Sequence, residues 1–235
     1  MNNSYGATYT STPVEMLGIN QRAAFITRTY NHLFAAIIAF VLVEVFFFTT
    51  GLAAVMASAM LGVNWLLVLG GFVVVSWLAT RAAHQSTSMR TQYMALAGFV
   101  VAEAIIFVPM LYIAQQYSGG GVIESAATVT LLGFGALTAI AFWTRKDFSF
   151  LGAMLRWVGV LALVAIVAAV FFGFQLGTWF SVAMIGIAGA AILYDTSNVI
   201  HHFPEDRYVA AALTLFASVA LMFWYVLRFF MGSRD

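Results

Sequence analysis

Long apolar stretches separated by short polar segments dominate this chain. A helix needs about 20 mainly apolar residues to cross a hydrocarbon core about 30 Å thick, and seven stretches meet that requirement. They cover residues 33–50, 65–83, 93–114, 122–144, 154–174, 179–198 and 209–231. Strands of a membrane barrel alternate polar and apolar residues, whereas these stretches are unbroken. The pattern therefore predicts an all-α membrane protein with seven transmembrane helices.

Two regions outside these stretches need separate interpretation. Residues 51–62 are apolar, and they either extend the first helix or lie along the membrane interface. Residues 1–30 are polar and lack the basic start, apolar run and cleavage site of a signal peptide. We therefore expect an N-terminal tail over residues 1–30, with residues 20–30 able to form a short amphipathic helix. We expect the remaining residues, 31–235, to form one transmembrane domain.

Composition excludes several classes of protein. Hydrophobic residues make up 63% of the chain and charged residues 8%, against roughly 25% charged residues in soluble domains. The mean hydropathy is +0.96. The net charge of +1 provides no basic surface for nucleic acid. The absence of cysteine from the sequence excludes disulfides and thiolate metal sites.

The distribution of Lys and Arg predicts the orientation of the helices, because cytoplasmic loops carry an excess of both. Most basic residues fall on the side of the first helix's start: Arg22, Arg28, Arg81, Arg90, Arg145, Lys146 and Arg207. Only Arg228 and Arg234 fall on the opposite side. We therefore expect a cytoplasmic N-terminus and a C-terminus outside, in a multi-pass protein of the bacterial inner membrane.

Ionisable residues inside the predicted helices are candidate functional residues, because they are costly in lipid. Arg81 and Asp195 lie at similar depth near the cytoplasmic side, so either they pair, or Arg81 reaches the headgroups while Asp195 faces water. Glu44 and Glu103 lie deeper. Each of these two must face a cavity, find a hydrogen-bond donor or carry a proton. They serve either as hydrogen bonds between helices or as part of a proton or cation path.

The remaining residue patterns make an enzyme a distant alternative. The four histidines, His32, His84, His201 and His202, fall at cytoplasmic helix ends, where converging imidazoles could bind zinc. No HExxH spacing occurs, and neither does a GxSxG nucleophile elbow. We therefore expect no catalytic residues, no cofactor and no bound metal.

Three motifs give the chain a family resemblance. The segment RKDFSFLGAML at residues 145–155, AILYDTSNVIH at residues 191–201 and ALTLFASVALMFWYVLRFF at residues 212–230 are similar to motifs of the Bax inhibitor-1 (TMBIM) family. Within that family, the sixth-helix motif and the Ser-Arg-Asp ending resemble the bacterial YccA-like branch most. The resemblance extends from about residue 20 to the end.

The resemblance implies a fold and a candidate gate. Family members have six helices around a central seventh. Those studied as channels carry two aspartates that share a proton and close the cytoplasmic side of a cation path. Asp195 corresponds to the first aspartate, whereas Ser218 replaces the second. The family also places a basic residue close to Arg81. Because a serine cannot share a proton as a second carboxylate does, we expect only weak pH-dependent switching.

Three functional hypotheses follow from the resemblance and the residues. The first is a non-enzymatic modulator of the membrane-anchored, ATP-dependent protease FtsH, engaged through the N-terminal tail as a substrate-like inhibitor. The second is a cation (calcium or proton) leak channel gated near Asp195, with Arg81 and Glu103 as further candidates. The distant third is a zinc-dependent lipid hydrolase. Carboxyl groups around one continuous cavity favour transport, and a closed bundle favours the modulator.

Overall fold

The computed structural model describes residues 12–118 and 121–232. These residues form eight α-helices, preceded by a one-turn 3-10 helix at Val14–Met16, and contain no strand element. The helices are α1 (Ile19–Thr49), α2 (Leu52–Leu61), α3 (Trp65–Gln85), α4 (Met89–Tyr117), α5 (Val122–Thr144), α6 (Leu151–Phe172), α7 (Gly177–His201) and α8 (Tyr208–Gly232). All but α2 are long and apolar enough to cross a membrane, so the seven predicted helices are confirmed.

The first helix is longer than its apolar stretch. It begins at Ile19, so the residues at which an amphipathic helix was expected are the first turns of α1 itself. The reason is a buried stripe, Phe25, Thr29 and Leu33, which repeats every four residues and faces the bundle. Polar residues between them, such as Thr27 and Arg28, lower the local hydropathy. The predicted tail therefore keeps only the residues before Ile19, of which residues 1–11 lie outside the described part.

Residues 51–62 form a separate helix rather than an extension of α1. Gly51 takes a left-handed backbone conformation with φ of 79°, which ends α1 at Thr49. The short helix α2 then packs against α4 through Ala53 and Ala57, which contact Val108. At the next helix start, the Asn64 side chain accepts a hydrogen bond of 2.9 Å from the backbone N–H of Leu66.

The last helix lies at the centre of the bundle. Of the helices that could span a membrane, α8 is the most buried and α4 the next. Helices α1, α3, α4, α5 and α7 pack directly on α8, whereas α6 packs chiefly on α7. The arrangement around a central seventh span is thus confirmed, with α6 in an outer layer. Large side chains on the outer faces, such as Leu67, Trp157 and Leu161, are exposed, as lipid-facing residues would be.

Because the seven long helices alternate in direction, they define two sides of the bundle. The N-terminal side holds the start of α1 and the loops α3–α4, α5–α6 and α7–α8. The far side holds α2 and the loops α4–α5 and α6–α7.

Candidate functional site

Asp195 and Ser218 meet between α7 and α8, the two helices that pack most extensively on each other. Asp195 lies on α7 and Ser218 on α8, and both side chains are buried. The Ser218 hydroxyl donates a hydrogen bond of 2.5 Å to Oδ2 of Asp195. Among the described residues, Asp195 forms no ion pair. The position that the resemblance assigned to a second aspartate is therefore in direct contact with Asp195.

Arg81 does not pair with Asp195, which corrects one interpretation of the sequence. The Arg81 side chain is exposed, its Nε donates to Oε1 of Gln85 at 3.0 Å, and its guanidinium lies 5.2 Å from the centre of the Trp77 ring. These partners lie on α3 itself. Similar depth in the membrane thus did not bring the two residues onto facing surfaces. The alternative that Asp195 faces water is also wrong, since its side chain is buried.

The α5–α6 loop is held against the end of α7 by Ser197. The backbone N–H of Phe148 donates to the Ser197 hydroxyl at 2.9 Å, and Ser197 is fully buried. Where the loop enters α6, a Cβ at Gly152 would lie 2.7 Å from Cε2 of Tyr194, so glycine permits this close approach. The RKDFSFLG segment therefore packs on α7 through contacts with Tyr194 and Ser197, which lie one and two residues from Asp195.

Asp147 in this loop makes two further contacts. Its Oδ1 accepts a hydrogen bond of 2.8 Å from the backbone N–H of Ser149, and its Oδ2 lies 3.1 Å from Nε2 of His202. The Ser149 N–H lowers the pKa of Asp147 below its ordinary value of 3.8, and His202 acts in the same direction. Both effects favour the charged form of the Asp147 carboxyl group, which lies in a loop outside the membrane-spanning helices.

Two other loops on the N-terminal side are joined by hydrogen bonds. The buried Gln92 side chain donates to the carbonyl oxygens of Ser86, at 3.2 Å, and Asp206, at 3.4 Å. The Arg207 guanidinium also donates to the Ser86 carbonyl. Through these contacts, the start of α4 ties the α3–α4 loop to the α7–α8 loop.

The segment before α1 docks on the same α7–α8 loop. The Val14 N–H donates to the Phe203 carbonyl at 2.9 Å, and the Glu205 N–H donates to the Thr12 carbonyl at 3.3 Å. Between them, Pro13 pairs with Pro204 as an antiparallel bridge. The Val14 side chain is fully buried. Part of the predicted tail is therefore attached to the bundle.

Glu44 lines a cavity in the side of the bundle. The cavity has a volume of about 560 Å³ and lies between α1 and α5, with α8 behind it and the end of α4 at its far side. Glu44 is 7% exposed, and within the described residues neither of its carboxyl oxygens has a hydrogen-bond partner. The hydroxyl of Thr130, in the same cavity, is also buried without a partner there. A hydrogen bond between helices, one interpretation of Glu44, is not formed.

Glu103 is buried elsewhere. It lies on α4, six residues before Pro109, and it does not line the Glu44 cavity. In the described ranges it makes no hydrogen bond to another helix. Asp195 does not line that cavity either. The three buried carboxyl groups therefore do not surround one continuous space.

The four histidines do not converge. His32 contacts the Tyr93 hydroxyl, and His84 contacts Thr214. The His201 Nδ1–H donates to the Ser197 carbonyl oxygen, and His202 contacts Asp147. Across residues 12–118 and 121–232, no group of three His, Asp or Glu side chains is placed to bind a metal ion. The arrangement gives the zinc hydrolase hypothesis no site.

Comparison with known proteins identifies the family. The family model described as "Inhibitor of apoptosis-promoting Bax1" matches residues 22–235. This chain belongs to the Bax inhibitor-1 family. It is 33% identical over 172 residues to "Modulator of FtsH protease YccA" of Escherichia coli K12, a match that covers 72% of this chain and 76% of that protein.

Two further relatives extend the comparison. "Inner membrane protein YccA" of Escherichia coli O6:H1 matches with the same identity and coverage. "Protein LIFEGUARD 4" of Arabidopsis thaliana is 32% identical over 126 residues, which cover 50% of this chain and 50% of that protein. The similarity to the YccA-like branch is thus confirmed over most of the chain, and the names of these bacterial relatives are those of a protease modulator and an inner-membrane protein.

Sequence reasoning missed two features of the structure. It treated residues before α1 as a free tail, although Val14 and the nearby Leu17 are apolar residues at the end of a polar stretch and Val14 is buried. It also did not predict the cavity at Glu44. The cavity depends on the distance between α1 and α5, which residue patterns within one helix do not determine.

Proposed function

We propose that this chain is a non-enzymatic inner-membrane protein that modulates an FtsH-type, membrane-anchored protease. The observation that carries the proposal is the similarity to the Escherichia coli modulator YccA over 72% of the chain. The protease would engage the segment before α1 as it engages a substrate, from the cytoplasmic side. The packed bundle would then resist extraction from the bilayer.

The docked segment supports a regulated form of this engagement. Residues 12–17 are attached to the α7–α8 loop by backbone hydrogen bonds and by buried Val14. A protease that pulls on the N-terminus would have to release this segment before it reaches Ile19, where α1 begins. Docking would therefore limit how much of the chain the protease can grip.

The packing of α1 supports the resistance to extraction. Once the segment is released, the protease would next pull on α1, whose stripe of buried residues contacts the bundle. Helix α1 packs on α8 and α4, the two most buried of the long helices. Helix association in membranes depends on such packing. Withdrawal of α1 would thus expose the centre of the bundle and not only one peripheral helix.

Co-purification tests the proposal. The intact protein, crosslinked in membranes, is expected to co-purify with the FtsH-type protease, and deletion of residues 1–17 is expected to abolish the association. This deletion is preferable to removal of residues 1–30, which would also remove the first turns of α1 with Phe25 and Thr29. A failure of the intact protein to associate in crosslinked membranes would contradict the proposal.

A cation leak gated near Asp195 is the second candidate. It is favoured by the buried contact between Asp195 and Ser218, because a buried carboxyl group in a membrane helix is expensive to keep. The separation of Glu44, Glu103 and Asp195 favours the modulator instead. Vesicles reconstituted with the protein decide the role of Asp195: equal calcium flux for the wild type and for Asp195→Asn would exclude this residue as the gate.

A further inference from the structure

The cavity between α1 and α5 opens sideways, towards the surroundings of the bundle. Helices α1 and α5 both pack on α8, but they do not pack extensively on each other. The walls are mostly apolar, and they include Phe40, Val41 and Leu131. The volume, about 560 Å³, is within the range of roughly 300–1,000 Å³ that small-molecule sites occupy. A molecule dissolved in the bilayer can therefore reach this space from the side.

Three acceptor atoms in the cavity have no donor within the described residues. They are the two carboxyl oxygens of Glu44 and the hydroxyl oxygen of Thr130. Glu44 is 7% exposed and Thr130 is 2% exposed, so bulk water does not solvate these side chains freely. A buried polar group without a partner destabilises the folded protein, because its lost hydrogen bonds to water are not replaced. Unpartnered groups in a cavity of this size indicate a ligand that supplies donors.

The charged residues that line the cavity indicate which polar head group a bound ligand would carry. The lining contains two carboxyl groups, Glu44 in the interior and the exposed Glu124, and no Lys or Arg among the described residues that form it. An anionic head would meet carboxyl groups without a compensating cation. A cationic donor is complementary to this lining, because an opposite charge offsets part of the cost of burying each group.

From these observations we propose that the cavity binds a single-chain amphiphile with an aliphatic ammonium head. An ammonium group carries three N–H donors and no acceptor, which matches the three unpartnered acceptors of Glu44 and Thr130. Its alkyl chain lies against the apolar walls. A phospholipid with two chains exceeds a site of this volume, so the ligand is a membrane-dissolved amine of one chain.

Equilibrium binding of dodecylamine to the protein in phosphatidylcholine nanodiscs tests this site. Empty nanodiscs measure partition into lipid, and dodecanol and dodecanoate share the chain but not the head. Saturable binding of one dodecylamine per protein is expected, stronger than that of dodecanol, with no competition from dodecanoate. Glu44→Gln is expected to weaken dodecylamine binding about tenfold or more, the effect of losing a hydrogen bond to a charged group.

Two variants make the test specific. Glu103→Gln changes a buried carboxyl group outside the cavity, so it is expected to leave dodecylamine binding unchanged. Ala127→Phe, which adds a ring at the cavity wall, is expected to abolish binding of both dodecylamine and dodecanol. The Tm of each variant checks that it folds, and if Glu44→Gln does not fold, Ala127→Phe and the head-group series decide.

Four results would overturn the proposal. The first three are saturable binding that Ala127→Phe and Glu44→Gln both leave intact, equal binding of dodecanoate and dodecylamine, and absence of saturable binding to the wild type. Displacement of dodecylamine by phosphatidylethanolamine added to the nanodisc would also overturn it, since the occupant would then be a bilayer phospholipid.

Discussion

The Ser218 hydroxyl lies 2.5 Å from Oδ2 of Asp195 and supplies its hydrogen bond across the α7–α8 interface. Both side chains are buried where the central helix meets its most extensively packed neighbour. A single neutral donor thus takes the place that the family resemblance gives to a second acid. Consequently, the stability of this interface should depend on one hydroxyl group.

Ser218→Ala is expected to destabilise the protein by about 1–3 kcal/mol, because it leaves a buried carboxyl group without its donor. A lowered Tm in nanodiscs measures the effect. The matched control is Ser181→Ala on α7: Ser181 is 1% exposed and its hydroxyl is unpartnered within the described residues. That change should leave the Tm unchanged or raise it slightly. Equal effects of the two substitutions would mean that the Ser218 hydrogen bond contributes nothing.

Asp147 is expected to titrate below its ordinary pKa of 3.8, chiefly because the Ser149 N–H donates to it. A carboxyl pKa that is lower in the folded state stabilises the loop above the ordinary pKa, and this stabilisation is lost as the pH falls through the lowered value. Carbon-13 NMR of labelled aspartate measures the titration. His202→Ala should raise the pKa of Asp147 only partly. A full return to 3.8 in that variant would make His202, and not the Ser149 N–H, the main cause.

The fold was largely predictable because lipid imposes long unbroken apolar helices. All seven predicted stretches lie at helices that could span a membrane. The start of α1 was less visible, since Phe25 and Thr29 face the bundle while polar residues such as Gln21 and Arg28 are exposed. An average of hydropathy over consecutive residues hides such a stripe, whereas its spacing of four residues is readable.

The contacts of the ionisable residues were harder to predict. Position along a helix gives depth in the membrane, but a contact also requires that two helices face each other at the right rotation. Arg81 and Asp195 share a depth, and yet Arg81 points to Gln85 and Trp77 on its own helix. Only the family resemblance connected Asp195 with Ser218, because it aligned the two helices as a pair.

Glu103→Leu is expected to stabilise the protein by about 1–3 kcal/mol, since Glu103 is 6% exposed and has no hydrogen-bond partner among the described residues. An increase in Tm in nanodiscs checks this. Glu103→Gln keeps the shape and a buried polar group, so its Tm should change much less. A decrease in Tm for Glu103→Leu would show that the carboxyl group makes a stabilising contact in the membrane.

Val14→Asp is expected to release the segment before α1, because it places a charge at a fully buried position beside the α7–α8 loop. A buried polar group without a partner costs about 1–3 kcal/mol, so the released state should become about tenfold or more populated. Limited proteolysis in nanodiscs, with cleavage sites mapped by mass spectrometry, measures the release as faster cutting within residues 12–18. The control is Met16→Asp in the same 3-10 helix, where the side chain is 72% exposed and cutting should be unchanged.

If docking limits the grip of the FtsH-type protease, Val14→Asp should also be degraded faster by that protease than Met16→Asp. Val14→Asp could be cut faster in limited proteolysis and yet be degraded by the FtsH-type protease at an unchanged rate. That result would confirm that the segment docks on the bundle, but it would contradict the proposal that docking limits the grip of the FtsH-type protease.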